Sequence, residues 1–190
     1  MKTRLFLLGL TLFTASIVKA QTITKQEKGY FNLTEIGYTG GNHTYEVQVT
    51  PTKYDGGTSG AYAFSLRNIN GMFLTNQISV GVGLGLENYT DNDSYSTNNN
   101  LFQLFLDARY YFKNQNKTFF AYGDAGTGLK IDDNFRKGTM FNLGIGYKFK
   151  VAPKTGMTGS LGYSDQTIKG DPLITKNRYY GIAVKVGLLF

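Results

Sequence analysis

The chain has 190 residues, enough for one domain, a formal net charge of +7 and only 17% charged residues. It has no Cys and a single His, His43, which excludes disulfide scaffolds, thiol catalysis, cysteine-ligated zinc and two-histidine metal sites. An aromatic content of 15% with only 3 Pro argues against a linker or a disordered chain.

Residues 1–20 read as a secretory signal peptide. Lys2 and Arg4 give a positive start, residues 5–18 form an apolar run, and Val18 and Ala20 supply the small residues before a cut between Ala20 and Gln21. The run is short of the ~20 residues that a membrane-crossing helix needs. Residues 21–190 are then the mature domain. Removing Lys2, Arg4 and Lys19 leaves 17 basic and 13 acidic residues, a net +4. With no nucleic-acid motif either, nucleic acid is not an expected partner.

From there the pattern is period-2 alternation, the mark of strands. Eight candidates follow in order: 30–39, 61–70, 78–87, 101–112, 118–129, 141–149, 156–165 and 180–190. In the third, Ile78, Val80, Val82, Leu84 and Leu86 alternate with Ser79, Gly81, Gly83, Gly85 and Glu87. In the last, Tyr180, Ile182, Val184, Val186, Leu188 and Phe190 share one face. Asn32, Thr34, Thr158 and Ser160 blur the alternation of the first and seventh. Several runs reach the ~9–11 residues of a membrane-crossing strand, longer than the ~5–6 typical of soluble sheets.

The intervening segments, 40–60, 71–76, 89–100, 113–117, 130–137, 150–155 and 166–177, alternate long and short. That is the wiring of an up-and-down barrel with long extracellular loops and short periplasmic turns. The expected fold is all-β, an eight-stranded antiparallel up-and-down transmembrane β-barrel. Alternation alone does not say which face points outward. Small polar residues on one face suit the crowded lumen of a narrow barrel. Aromatics at strand ends suit two headgroup-level girdles. One is expected at Phe73, Tyr110, Phe112, Phe119, Phe149 and Phe190, the other at Tyr38, Tyr62, Tyr89, Phe102, Phe141, Tyr163 and Tyr180.

The opening Tyr30-Phe31-Asn32-Leu33-Thr34-Glu35-Ile36-Gly37-Tyr38, the Asn68-Ile69-Asn70-Gly71 segment and the run from Ser79 to Gly85 resemble a known family. So do the segment from Leu106 to Phe112, the Tyr122-Gly123-Asp124-Ala125-Gly126 segment and the terminal strand. The chain resembles the small eight-stranded outer-membrane barrel proteins of the Bacteroidetes type, with OmpA/OmpX-like architecture. The resemblance implies a bacterial outer-membrane location, with outer-membrane lipids and lipopolysaccharide as surroundings. It also implies recognition of Phe190 by the barrel-assembly machinery. It implies no single activity.

The expected chemistry lies in the lumen. By alternation Glu35, Arg67, Glu87, Asp107, Arg109, Asp124, Lys148 and Lys185 face inward, four acids against four bases, which suggests an ion-paired plug. Asp107 and Arg109 are expected to share a network with Asp124. No cofactor, metal or catalytic residue is assigned, and the chain is read as non-enzymatic. His43, Asp55 and Ser59 share the first long loop, but its glycines offer no rigid frame for acyl transfer. The paired acids Asp91 with Asp93 and Asp132 with Asp133 lack calcium-loop spacing. Lys53, Lys130, Arg136, Lys137, Lys169, Lys176 and Arg178 fall on the extracellular side, where anionic lipopolysaccharide lies. The leading expectation is envelope structure or surface interaction through the loops, the extracellular ligand being unknown. The alternative is a narrow passive channel, kept open by the glycine-rich inner face at Gly81, Gly83, Gly85, Gly144 and Gly146.

Overall fold

In the computed structural model, residues 29–49, 52–91, 99–131, 135–153, 155–169 and 174–190 are described. The expected signal peptide and its Ala20–Gln21 cut lie outside them. The eight strands are β1 (Gly29–Val49), β2 (Thr52–Phe73), β3 (Ile78–Asp91), β4 (Asn99–Tyr111), β5 (Thr118–Leu129), β6 (Gly138–Ala152), β7 (Thr155–Lys169) and β8 (Ile174–Leu189). Each pairs antiparallel with its sequence neighbours, and β8 closes on β1. Phe190 completes that seam by exchanging two backbone hydrogen bonds with Asn32, at 3.0 and 2.8 Å.

The alternation resolves into an inside and an outside. Ile36, Phe64, Leu66, Val82, Leu106, Leu143, Ile145, Leu161, Ile182 and Val184 are all at least half exposed on the outer surface. On the same strands Glu35, Arg67, Asp107, Arg109, Lys148 and Lys185 are buried. Water would not leave such a belt bare, since large contiguous apolar patches on soluble monomers are rare. The inverse arrangement, a soluble barrel around an apolar cavity, is the opposite of what is seen.

Two sequence expectations are corrected. First, the segment 40–60 is not a loop. Its two halves pair with one another from Thr39↔Ala63 out to Val49↔Thr52, with one irregularity between Thr44 and Glu46. Similarly β7 and β8 pair out to Lys169↔Lys176, inside the segment 166–177. The large alternation of loop lengths therefore disappears. The cause is the surroundings: beyond the apolar belt a ladder needs no greasy outer face, so pairing continues where alternation stops. Second, Phe73 and Tyr89 do not belong to the girdles. They share the parity of Arg67 and Glu87, and both are buried inside the barrel. Tyr38, Tyr62, Tyr110, Phe112, Phe119, Phe141 and Tyr163 do lie on the outer surface.

Gly41 of the first hairpin serves close approach to β8 rather than flexibility. Gly41 and Gly181 face one another across the seam. A Cβ on Gly41 would lie 2.1 Å from the Tyr180 carbonyl oxygen, and one on Gly181 2.3 Å from that of Gly40. Backbone cannot yield as a flexible side chain does. Gly41→Val is expected to destabilise the barrel by about 1–3 kcal/mol, the usual cost of overpacking. Urea unfolding in detergent reads this as a lowered midpoint, and an unchanged midpoint would show that the seam can spread.

Candidate functional site

The candidate site is the lumen, which is built in three layers. On the side of the β2–β3, β4–β5 and β6–β7 turns, Phe31, Leu33, Ile69, Phe73, Tyr111 and Leu189 belong to one buried apolar cluster, which Phe105 and Phe120 extend. At the opposite end Ala63, Tyr89, Leu101, Ile168 and Tyr179 form a second. The charged layer lies between these ends, interleaved with Phe105 and Tyr122 of the first cluster.

Its hub is Arg67 on β2, with a side chain wholly withdrawn from solvent. Its Nη2 donates to Asp124 Oδ2 at 2.6 Å, reaching from β2 to the non-adjacent β5. Its Nη1 stands 3.9 Å from Glu35 Oε2. Arg109 Nη2 donates to Glu35 Oε1 and Arg109 Nε to Asp107 Oδ1, both at 3.0 Å. Lys185 Nζ reaches Asp124 Oδ2 at 3.4 Å. Three cations and three carboxylates thus form one continuous chain. Burial of this kind is tolerable only when every charge meets its opposite.

Aromatic faces carry the remaining cationic surface. The Arg67 guanidinium lies 4.1 Å from the Phe105 ring centre, and Lys185 Nζ 4.7 Å from that of Tyr122. Such stacking stabilises a cation without adding charge. Lys148, also in the expected set, is buried with its Nζ 4.9 Å from the Tyr111 ring centre. Glu87 sits beside the chain of ion pairs rather than in it. It accepts from Tyr89 Oη at 2.6 Å and Gln103 Nε2 at 3.0 Å.

The neutral members were missing from the sequence-derived set. Gln103 donates to Gln166 Oε1 at 2.8 Å, and Asn142 donates to Asp124 at 3.3 Å. Parity alone places Gln103 and Asn142 inside. Gln166 was hidden because its segment reads as a loop.

The glycine-rich inner face does not hold a passage open. A Cβ on Gly83 would lie 2.1 Å from Phe105 Cζ, and one on Gly146 2.4 Å from Phe120 Cζ. These glycines make room for rings from neighbouring strands, so the lumen is occupied there. Near the upper cluster, a cavity of about 10 Å³ beside Tyr89 and Tyr179 has room for at most one water.

His43 is buried at the upper end, its ring stacked 4.4 Å from Tyr179, with Nε2 3.0 Å from Asn177 Oδ1. Ser59 is its register partner, whereas Asp55 pairs with Glu46 beyond the irregularity in β1. The strand register does not gather the three residues at one position. Of the basic residues expected outside, Arg178 is bonded through two nitrogens to Asp165, and Lys176 lies 3.9 Å from Glu46. Asp93, Asp132 and Asp133 lie outside the described residues, as does the side chain of Asp91.

No family model matches the sequence, and no curated protein matches it. Solved structures do share the fold. Neisserial surface protein A superposes with a TM-score of 0.53 at 15% identity, over 85% of this chain and 98% of that one. The outer membrane protein OprG of Pseudomonas aeruginosa gives 0.50 at 12% identity, over 86% and 95%. At such identities the likeness establishes the eight-stranded barrel fold and carries no activity across.

Proposed function

We propose that the chain is an integral outer-membrane barrel with no catalytic role, acting through its surface, and that its lumen is an ion-paired plug. The observation that carries this reading is the inversion of polarity: an exposed apolar belt outside and a compensated charge network inside. A bilayer supplies the apolar contact that the belt requires. The sequence resemblance and the apolar run of residues 5–18 support an outer membrane of the Bacteroidetes type, reached by export through a cleaved signal peptide. Phe190, paired to Asn32 at the seam, is where the barrel-assembly machinery would read the terminal strand. The surface presented outward is largely paired sheet, the continuation of β1, β2, β7 and β8. Lipopolysaccharide phosphates are the anionic groups available to the basic residues there. A rigid edge of sheet is a firmer recognition platform than mobile loops, because less order is lost on binding.

The narrow-channel alternative lacks support from the lumen, where two apolar layers bracket the charges. Two measurements test the reading. The protein is expected to pellet with outer membranes and to migrate differently on a gel before and after boiling. In planar bilayers it is expected to show no steady conductance. A soluble periplasmic protein without a gel shift overturns the membrane reading, and a reproducible single-channel current overturns the plug.

A further inference from the structure

The outer belt has one interruption. On β1 and β2, Asn32, Thr34, Asn68 and Asn70 point outward and form a ladder of their own. Asn32 pairs in register with Asn70, and Thr34 with Asn68. Asn32 Nδ2 donates to Asn70 Oδ1 at 2.9 Å and to Asn68 Oδ1 at 3.2 Å. Asn68 Nδ2 donates to Thr34 Oγ1 at 2.8 Å and to Asn32 Oδ1 at 3.2 Å, and Asn70 Nδ2 donates to Asn68 Oδ1 at 2.8 Å. The Tyr30 hydroxyl donates to Asn70 from below.

This patch lies within the apolar belt, not at its margin. Ile36 and Leu66, 63% and 50% exposed, sit above it, and Met72 lies below beside Tyr30. Val82 and Leu84 flank it on β3, and Leu188 flanks it on β8. Hydrocarbon offers these groups no hydrogen bonds, so carboxamides facing lipid are costly unless something polar meets them. The ladder satisfies much of its own capacity. In the bonds among the described residues, Asn70 still holds one unused N–H and Thr34 its hydroxyl hydrogen.

The geometry points to this face as the contact between two copies of the chain in the membrane. The inference rests on the membrane reading above and adds an oligomeric surface to it. Three features favour a second copy over another occupant. The patch is uncharged, and each group both donates and accepts, so it complements itself. Two copies inserted with the same orientation are related by a twofold axis along the bilayer normal, which brings equal depths together. A polar patch at this depth therefore meets its own counterpart, whereas an unrelated partner would need polar groups at the same height. Lipid headgroups lie at the level of the aromatic girdles, and Phe190 of that level reaches only the lower edge of the ladder, beside Asn32.

The absence of Cys makes the test clean. Leu66→Cys places a thiol beside the ladder, and Ile145→Cys places one on β6, away from the proposed contact, where Ile145 is 59% exposed. Each purified chain, folded into phosphatidylcholine vesicles at high lipid dilution, is treated with a mild oxidant and run on a non-reducing gel. Leu66→Cys is expected to give a disulfide-linked dimer well above the Ile145→Cys level. Adding Asn32→Leu, Asn68→Leu and Asn70→Leu is expected to lower it to that level. Equal cross-linking by the two single variants, or a dimer that survives loss of the three amides, overturns the proposal. Should the triple variant lose its heat shift, the contrast between the single variants decides alone. Protein that floats with the vesicles as a monomer overturns this proposal only. Protein that does not float overturns the membrane reading with it.

Discussion

Arg67→Met is expected to cost the barrel about 3–5 kcal/mol, the range for breaking a buried ion pair by removing one partner. The reason is what remains. Asp124 loses its shortest contact, at 2.6 Å, and Glu35 loses its second cation. Lys185 at 3.4 Å and Arg109 at 3.0 Å supply partial compensation. Methionine also fills less of the space over Phe105, where the guanidinium now stacks. The double variant Arg67→Met with Asp124→Leu removes both charges of the pair and is expected to recover most of the loss. Urea unfolding in detergent, followed by the gel shift, measures both. A single variant within about 0.5 kcal/mol of the parent, the range of an ordinary surface change, would show that the lumen is wet enough to solvate Asp124. A double variant as unstable as the single would show that packing, not charge, sets the cost.

This coupling between β2 and β5 is the part of the site that one sequence conceals. Parity places Arg67 and Asp124 in the same lumen, because successive side chains alternate by face. It says nothing of height, and height decides which charges meet across a barrel. Height follows from register, which the ladders fix: Glu35↔Arg67 on one side and Asp107↔Asp124 on the other. Glu87 has the right parity, yet the groups that donate to it are an amide and a phenol. A count of four acids against four bases is composition, and it does not say which of them meet.

The strands themselves were legible wherever the bilayer imposes a pattern. From Ile78 to Leu86 every outward position is aliphatic, and the reading there matches the observed strand to within a few residues. The pattern fades where that demand fades. Above the belt, glycines and polar residues read as loop although the backbone remains paired. Within it, the strand read as 61–70 stops at Asn70-Gly71, yet β2 continues to Phe73, and Asn68 and Asn70 belong to a hydrogen-bonded ladder on the outer face. Turn chemistry and in-membrane amides use the same residue types, so composition does not separate them.

The strongest test of which face meets lipid lies in the middle of β4. Leu106 points outward and is 67% exposed, opposite Val82 and Ala125 on the flanking strands, while its neighbour Phe105 is buried inside. Leu106→Arg is expected to destabilise the barrel in lipid vesicles by about 2–4 kcal/mol, the cost of a cation near the bilayer midplane. Leu74→Arg, in the β2–β3 turn where Leu74 is 55% exposed, is expected to cost about 0–1 kcal/mol, as near the interface. The comparison isolates depth, since both side chains start exposed and both gain the same charge. If water covered the belt, the two substitutions would cost the same, and Leu106→Arg would even improve solubility. Equal unfolding midpoints for the two variants in vesicles would therefore reverse the assignment of faces, and the charge network around Arg67 would have to be re-explained as the core of a soluble protein. A difference of the expected size fixes the belt in hydrocarbon, and it makes the four polar residues beside Ile36 and Leu66 the exception that needs a partner.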